Sequence, residues 1–173
     1  VGAKARADQL ETEFGATLAY ANARKLLAEL AVIGQRVPSD WSGSITRWFQ
    51  GESNVDLGEG TSLLVFWELW CPHCRREVPV LKATHERFSS EGLNVVGLTR
   101  VTRSATEESV RSFLKEQAIQ YPVAQETGDL SRAFNVSGIP AAAVVQDGIV
   151  IWRGHPARLT DSLLSTLLRP AEG

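Results

Sequence analysis

The chain has 173 residues and a mass of 18.9 kDa, the size of one domain. Its 43% hydrophobic and 22% charged residues match a packed globular protein and disfavour extensive disorder. A net charge of -2 and a pI near 6.0 exclude the cationic excess that holds a phosphate backbone, so no nucleic-acid partner is expected.

The first 36 residues are rich in the helix formers Ala, Leu, Glu, Lys and Arg, with Leu10, Phe14, Leu18 and Ala21 at i, i+4, i+8 and i+11. One or two helices are expected, making residues 1–37 an N-terminal helical extension. The apolar stripe is imperfect and broken by Lys25, and the segment is expected to pack on the rest or to mediate self-association, with packing the favoured reading. Gly34 and Pro38-Ser39-Asp40 give stop and loop signals, and a second unit is expected over residues 40–173.

Within that unit, Leu63-Leu64-Val65-Phe66-Trp67 is a short continuous apolar run, the pattern of a strand buried on both faces. It leads directly to Cys71. Pro72 stands where the first residue of a helix tolerates a missing N–H, and Val78, Leu81 and Phe88 line one face of that helix. Residues 93–98 read as the next strand, parallel to the first by the right-handed crossover rule. Ser104 and Glu107 form an expected capping box ahead of a helix carrying Val110, Phe113, Leu114 and Ala118. A short helix is expected around Asp129–Phe134. An extended run Ala141–Val145 then turns at Gln146-Asp147-Gly148 into Ile149–Trp152. Thr160 caps a last helix, with Leu159 and Leu164 as its hydrophobic staple and Pro170 as its stop. The order is β-α-β-α-β-β-α. The longest apolar runs, 62–69 and 139–145, fall far short of the ~20 residues that span a bilayer.

The cysteines are two, Cys71 and Cys74, at a strand-to-helix junction. One helical turn of separation brings their α-carbons within disulfide range, so a bridge can open and close with little backbone motion. Cys71, beside the unpaired N–H groups at the positive helix end, is the expected nucleophile because that end stabilises its thiolate. Cys74, one turn further in, is the expected resolving thiol. Structural zinc needs four ligands, and only His73, His85 and His155 add to the pair. Haem attachment needs His after Cys74, where Arg75 stands. Copper capture by the dithiol, a metallochaperone, is kept as the alternative, although no Met is present to supply thioether ligands.

The segment Phe66-Trp67-Glu68-Leu69-Trp70-Cys71-Pro72-His73-Cys74 resembles the active-site segment of thioredoxin-fold thiol-disulfide oxidoreductases. Pro79 matches their helix-kinking proline and Gly138-Ile139-Pro140 the loop that carries their cis-proline. The stretch between Val101 and Ala124, and Trp152-Arg153-Gly154-His155-Pro156, are most similar to the TlpA/ResA (redoxin) branch, whereas Pro72-His73 is similar to DsbA-type oxidants. The resemblance covers roughly residues 40–168. It implies an α/β thioredoxin fold, a central mixed sheet flanked by helices, and a redox disulfide Cys71–Cys74 with no other cofactor and no metal. It implies Cys71, Cys74, Pro72 and His73 as catalytic residues, and Ile139 and Pro140 as substrate-binding residues; Trp70, an aromatic flanking the thiol, is read equally as core packing and as a platform that binds a protein substrate. The implied partners are protein thiols and disulfides together with a membrane or soluble redox partner. The implied location is extracytoplasmic, in the bacterial periplasm, with a signal or anchor preceding Val1 and work such as cytochrome c or copper-centre maturation. The branch implies a reductant, and Pro-His a more oxidising couple, so an intermediate potential is expected.

Two positions depart from the pattern. Val65 stands where thioredoxins bury an acid, and Ala141 where a Thr commonly follows the cis-proline. Glu68 is the nearest carboxylate in sequence and the candidate for proton transfer to Cys74 through a water, although a solvated charge at a strand end is the favoured reading. His73 is expected to hydrogen-bond the Cys71 thiolate, His85 to sit hydrogen-bonded at the edge of the core, and His155 to lie in a surface turn. A redox-inert adaptor on the same scaffold is disfavoured by the intact Cys71, Cys74 and Pro140.

Overall fold

The computed structural model describes residues 9–51 and 55–169. Residues 1–8 of the expected helical extension, and Pro170, lie outside the described residues. Two helices open the chain, α1 over residues 9–14 and α2 over Leu18–Leu30. Then follow β1 (Ile45–Gln50), β2 (Thr61–Trp67), α3 (Pro72–Phe88), β3 (Leu93–Thr99), α4 (Glu107–Glu116), β4 (Val123–Glu126), α5 (Asp129–Ala133), β5 (Ala141–Gln146), β6 (Ile149–Gly154) and α6 (Asp161–Leu167).

The strands form one mixed sheet in the order β1-β4-β3-β2-β5-β6. β2 and β3 pair in parallel from Thr61 beside Leu93 to Trp67 beside Thr99, and β5 runs antiparallel on the other side of β2. Every residue of β2 is buried, because the strand has a neighbour on both edges and a core on both faces. Leu63, Val65 and Trp67 point into one core with Val78 and Leu81 of α3, Val110 of α4 and Leu164 of α6. Leu64 and Phe66 point into the other with Val32, Leu57, Leu130 and Phe134. The period-two alternation of a strand thus sorts one apolar run into two cores. The β5–β6 turn has Asp147 at φ 49° and Gly148 at φ 78°, the paired positive values of a tight hairpin turn.

Several local expectations shift. Helix α4 is capped by Thr106, not Ser104: the Thr106 hydroxyl accepts from the Ser109 N–H at 3.1 Å and Ser109 Oγ accepts from the Thr106 N–H at 2.8 Å. Ser109 supplies the reciprocal bond assigned to Glu107, and Ala118 lies beyond the helix at φ 50°. Strands β1 and β4 were not among the expected elements, and they pair antiparallel with register shifts at one edge of the sheet. The stripe Leu10, Phe14, Leu18 faces solvent, with Leu18 77% exposed. Helix α2 is held at its end instead, where Glu29 is buried and pairs with Arg158 at 3.2 Å, and Asn135 Nδ2 donates to the Ala28 carbonyl at 2.9 Å. The expected Thr160 cap is present, its hydroxyl accepting from the Leu163 N–H at 3.3 Å.

Gly97 is where β3 passes tightest over the core: a Cβ there would stand 3.1 Å from Val123 Cγ2 and 3.2 Å from Trp67 Nε1. Both neighbours are buried, so neither can swing into solvent. Gly97→Ala is expected to destabilise the fold by about 1–3 kcal/mol through overpacking, read as a lower urea midpoint with an unchanged slope. An unchanged midpoint would show that the sheet yields at this point.

Candidate active site

β2 ends at Trp67, and a four-residue loop delivers Cys71 to the N-cap of α3. The Cys71 N–H donates to the Glu68 carbonyl at 3.1 Å, and Cys71 Sγ accepts from the Cys74 N–H at 3.2 Å, the side-chain cap of the helix. A sulfur in that position sits where the helix dipole and free N–H groups favour negative charge. Both cysteines are free, with their sulfurs 2.6 Å apart and the Cys74 thiol donating to Cys71. Cys71 is 4% exposed and Cys74 wholly buried. Cys71 lines a cavity of about 480 Å³ together with Trp70, Pro72, His73 and Ile139. Burial pushes the Cys74 thiol well up, and its hydrogen bond with Cys71 and the charges of Cys71 and Glu68 add to this, while a backbone hydrogen bond with Glu68 opposes it. The pair is therefore asymmetric: one sulfur meets the cavity, and the other is held protonated behind it.

Glu68 is not the solvated charge that was the favoured reading. It is 3% exposed, and its carboxylate accepts from Trp70 Nε1 at 2.6 Å, from the Thr102 hydroxyl, and from Arg100 Nε and Nη2 at 3.1 and 2.7 Å. Burial alone would favour the neutral acid, but the hydrogen bonds from Thr102, Trp70 and Arg100 and the Arg100 charge together outweigh it and hold the carboxyl below the ordinary range. Arg100 and Thr102 were not foreseen as site residues. They arrive because β2 and β3 end level, so the residues just past Trp67 and Thr99 are neighbours. Trp70, tied by its ring N–H to Glu68 and Thr102, is covered by the Arg103 guanidinium at 3.7 Å from its ring centre.

The other wall is the loop before β5. The Ile139–Pro140 peptide is cis, and the Ile139 carbonyl lies 3.8 Å from Cys71 Sγ. The loop is anchored from below by Arg153, a buried residue of β6 whose guanidinium donates to the carbonyls of Phe134 (3.0 Å), Gly154 (3.1 Å) and Ala142 (3.4 Å). The one cationic residue at the end of an otherwise apolar strand was the available sequence signal.

His73 departs from expectation. It is exposed on α3, and its Nδ1 accepts from Arg76 at 2.6 Å, while the bond to Cys71 Sγ comes from the Cys74 backbone. Pro72 occupies the first helical position and Pro79 lies inside the helix. His85 packs edge-on to Tyr121, with ring centres 6.0 Å apart, and its buried Nδ1 has no hydrogen-bond partner, unlike the hydrogen-bonded edge histidine anticipated. His155 Nδ1 accepts from the Ala157 N–H at 3.1 Å in a short turn. Among the described residues no group of three or more His, Cys, Asp or Glu side chains is placed to hold a metal ion.

Two pH dependences follow. A carboxyl held below its ordinary value of 4.5 stabilises the fold fully above that pH and less as pH falls through its folded value. Glu68→Gln should therefore cost about 2 kcal/mol near neutrality, and the gap from the parent chain should narrow below pH 4.5 in denaturant titrations. A thiol held above its ordinary 9.0 works with the opposite sign: its contribution is complete below pH 9.0 and lost as pH rises. The reduced chain should thus lose stability above pH 9.0 faster than Cys74→Ala does. Parallel curves would remove the buried-thiol account.

Comparison with known proteins agrees with this geometry. The chain is 25% identical over 119 residues to the thiol-disulfide oxidoreductase ResA of Bacillus subtilis strain 168, covering 66% of this chain and 64% of that protein. It is 23% identical over 87 residues to the sporulation thiol-disulfide oxidoreductase A of the same organism, covering 50% of this chain and 53% of that one. The match thus spans between half and two thirds of these relatives' own length. Among solved structures, a thiol-disulfide isomerase from Corynebacterium glutamicum superposes with a TM-score of 0.61 at 22% identity, over 78% of this chain and 94% of that one, and shares its thioredoxin fold. Residues 38–153, from the loop before β1 to the buried Arg153 and so including both cysteines, Glu68 and the cis-proline loop, match the AhpC/TSA family, and the chain belongs to it.

Proposed function

We propose that the chain is a thiol-disulfide oxidoreductase that exchanges disulfides with protein thiols. The observation that carries this reading is the asymmetric free pair, with Cys71 capping α3 at a cavity and Cys74 buried with its sulfur 2.6 Å behind. In the reducing direction the Cys71 thiolate attacks one sulfur of a substrate disulfide, and the other substrate sulfur leaves as a thiolate. Cys74 then loses its proton and attacks Cys71 Sγ, releasing the second substrate thiolate. Two electrons pass to the substrate, and the Cys71–Cys74 disulfide remains. The oxidising direction is the reverse. The redox unit is the dithiol itself.

Ile139 and Pro140 form the wall along which an extended substrate backbone can lie, with the Ile139 carbonyl facing the reactive sulfur. Trp70 closes the opposite wall. Glu68, with its lone pairs filled by four donors, suits a fixed charge beside Cys74 better than a proton carrier. Pro72 presets the first helical turn. His73, bonded to Arg76, serves the rim of the cavity. The resemblance to the TlpA/ResA branch supports a place outside the bacterial cytoplasm, with a further redox partner to recycle the pair. The exposed Leu18, Leu26 and Leu27 of α2 leave self-association through residues 1–36 as a second question, which sedimentation of the full chain and of its Leu18→Glu/Leu27→Glu variant answers.

Insulin reduction with dithiothreitol tests the assignment. Cys71→Ser should abolish turnover, and Cys74→Ser should accumulate a mixed disulfide visible by mass. Iodoacetamide at mildly acidic pH should label Cys71 first, and preferential labelling of Cys74 would reverse the roles. A reduced chain that binds one Cu(I) tightly yet never reduces insulin would support the metallochaperone reading instead.

A further inference from the structure

We propose that the cavity beside Cys71 contains a carboxylate-binding subsite, made by Arg100 and Arg132 over Gly128, that selects protein substrates with an acidic side chain close to the reactive cysteine. This rests on the exchange reaction proposed above and names its substrate class.

Arg100 follows β3, Arg132 belongs to α5, and both line the cavity that Cys71 lines. Each has spent only part of its guanidinium. Arg100 gives Nε and Nη2 to Glu68, and Arg132 gives Nη2 to Asp129. The two remaining Nη1 atoms converge: they stand 3.7 and 3.4 Å from the point where a Cβ on Gly128 would be. Gly128 has φ +104°, a conformation that side-chain-bearing residues rarely adopt, so no side chain of its own stands between the two guanidinium groups. Neither Nη1 has an acceptor among the described residues.

The carboxylates already nearby are occupied. Glu68 has its four donors, and Asp129 accepts from the Thr127 hydroxyl at 2.6 Å as well as from Arg132. Glu126 is buried and accepts from the Gly128 N–H at 2.7 Å and the Ser131 hydroxyl at 2.5 Å. No internal anion is left to claim the converging N–H groups. Two Nη1 atoms no more than about 7 Å apart are close enough for the two oxygens of one carboxylate to bridge them. Arg103 over Trp70 and Arg76 on His73, neither in an ion pair among the described residues, continue the positive rim around Cys71. The four arginines outnumber the carboxylates of Glu68, Asp129 and Glu126 by one, a small positive excess at the cavity in a chain of net charge -2.

The test uses the full reduced chain and two short peptides of one sequence, each with its single cysteine as a mixed disulfide with 2-mercaptoethanol, differing only in Glu or Lys two residues from that cysteine. At low ionic strength the Glu peptide should be reduced about 3- to 10-fold faster. The ratio should fall toward one at high salt and in Arg132→Glu, and part of the way in Arg132→Gln, which removes the charge without reversing it. Arg111→Glu, far from the cavity, should leave the ratio unchanged. A ratio of one in the parent chain, or a preference that survives Arg132→Glu, overturns the subsite while leaving the exchange reaction intact. Failure to reduce either peptide or bis(2-hydroxyethyl) disulfide counts against the exchange reaction, and the subsite falls with it.

Discussion

The complete burial of β2 is the constraint from which the rest of the molecule is built. A strand with neighbours on both edges and a core on both faces cannot slip by one residue without exchanging the contents of the two cores. Its end is therefore fixed, and so is the start of α3, since only four residues separate Trp67 from the helix N-terminus at Pro72. Cys71 inherits its position from this register. The parallel partner β3 ends level with β2 and brings Arg100 and Thr102 to the same rim, while antiparallel β5 brings Ile139 and Pro140 from the other side. Three strand ends, set by one apolar run, assemble the cavity.

A buried carboxylate beside a buried thiol is costly unless it is paired, and the pairing here also ties the parts together. Glu68 joins the loop before Cys71 to the segment after β3 through Arg100 and Thr102, and through Trp70 it fixes an aromatic wall. Arg153 does the corresponding work beneath the cis-proline loop, donating only to backbone carbonyls. Neither arrangement adds reactive chemistry of its own. Each converts a loop, which would otherwise sample many conformations, into a fixed wall at the cost of burying a charge.

What could be read from the sequence was what is local. The apolar run, the Cys-x-x-Cys spacing, Pro72 at the first helical position, the Asp147-Gly148 turn and the Thr160 cap all act within a few residues, and each is present. The Thr106 cap was missed by two residues because Ser and Thr near a helix start compete, and only backbone conformation decides between them. β1, an edge strand, and β4, held between it and β3, are short elements of mixed polarity that gain their order from partners distant in sequence, 79 residues apart at Thr46 and Gln125. Glu68 was misjudged for the same reason. Its partners lie 32 and 34 residues away, and only the parallel register of β2 and β3 makes them neighbours. The signal was present in principle: an acid and a base each stand directly after paired strands.

Helix α2 stands apart from this tightly determined centre. Of its residues only Glu29 is buried; it pairs with Arg158, and the Ala28 carbonyl accepts a hydrogen bond from Asn135, before Val32 enters the core. Detaching α2 should accordingly cost only a small part of the free energy needed to open the sheet. Backbone amides of Leu18–Leu30 should then exchange with solvent through local opening, and those of β2 only through opening of the whole domain.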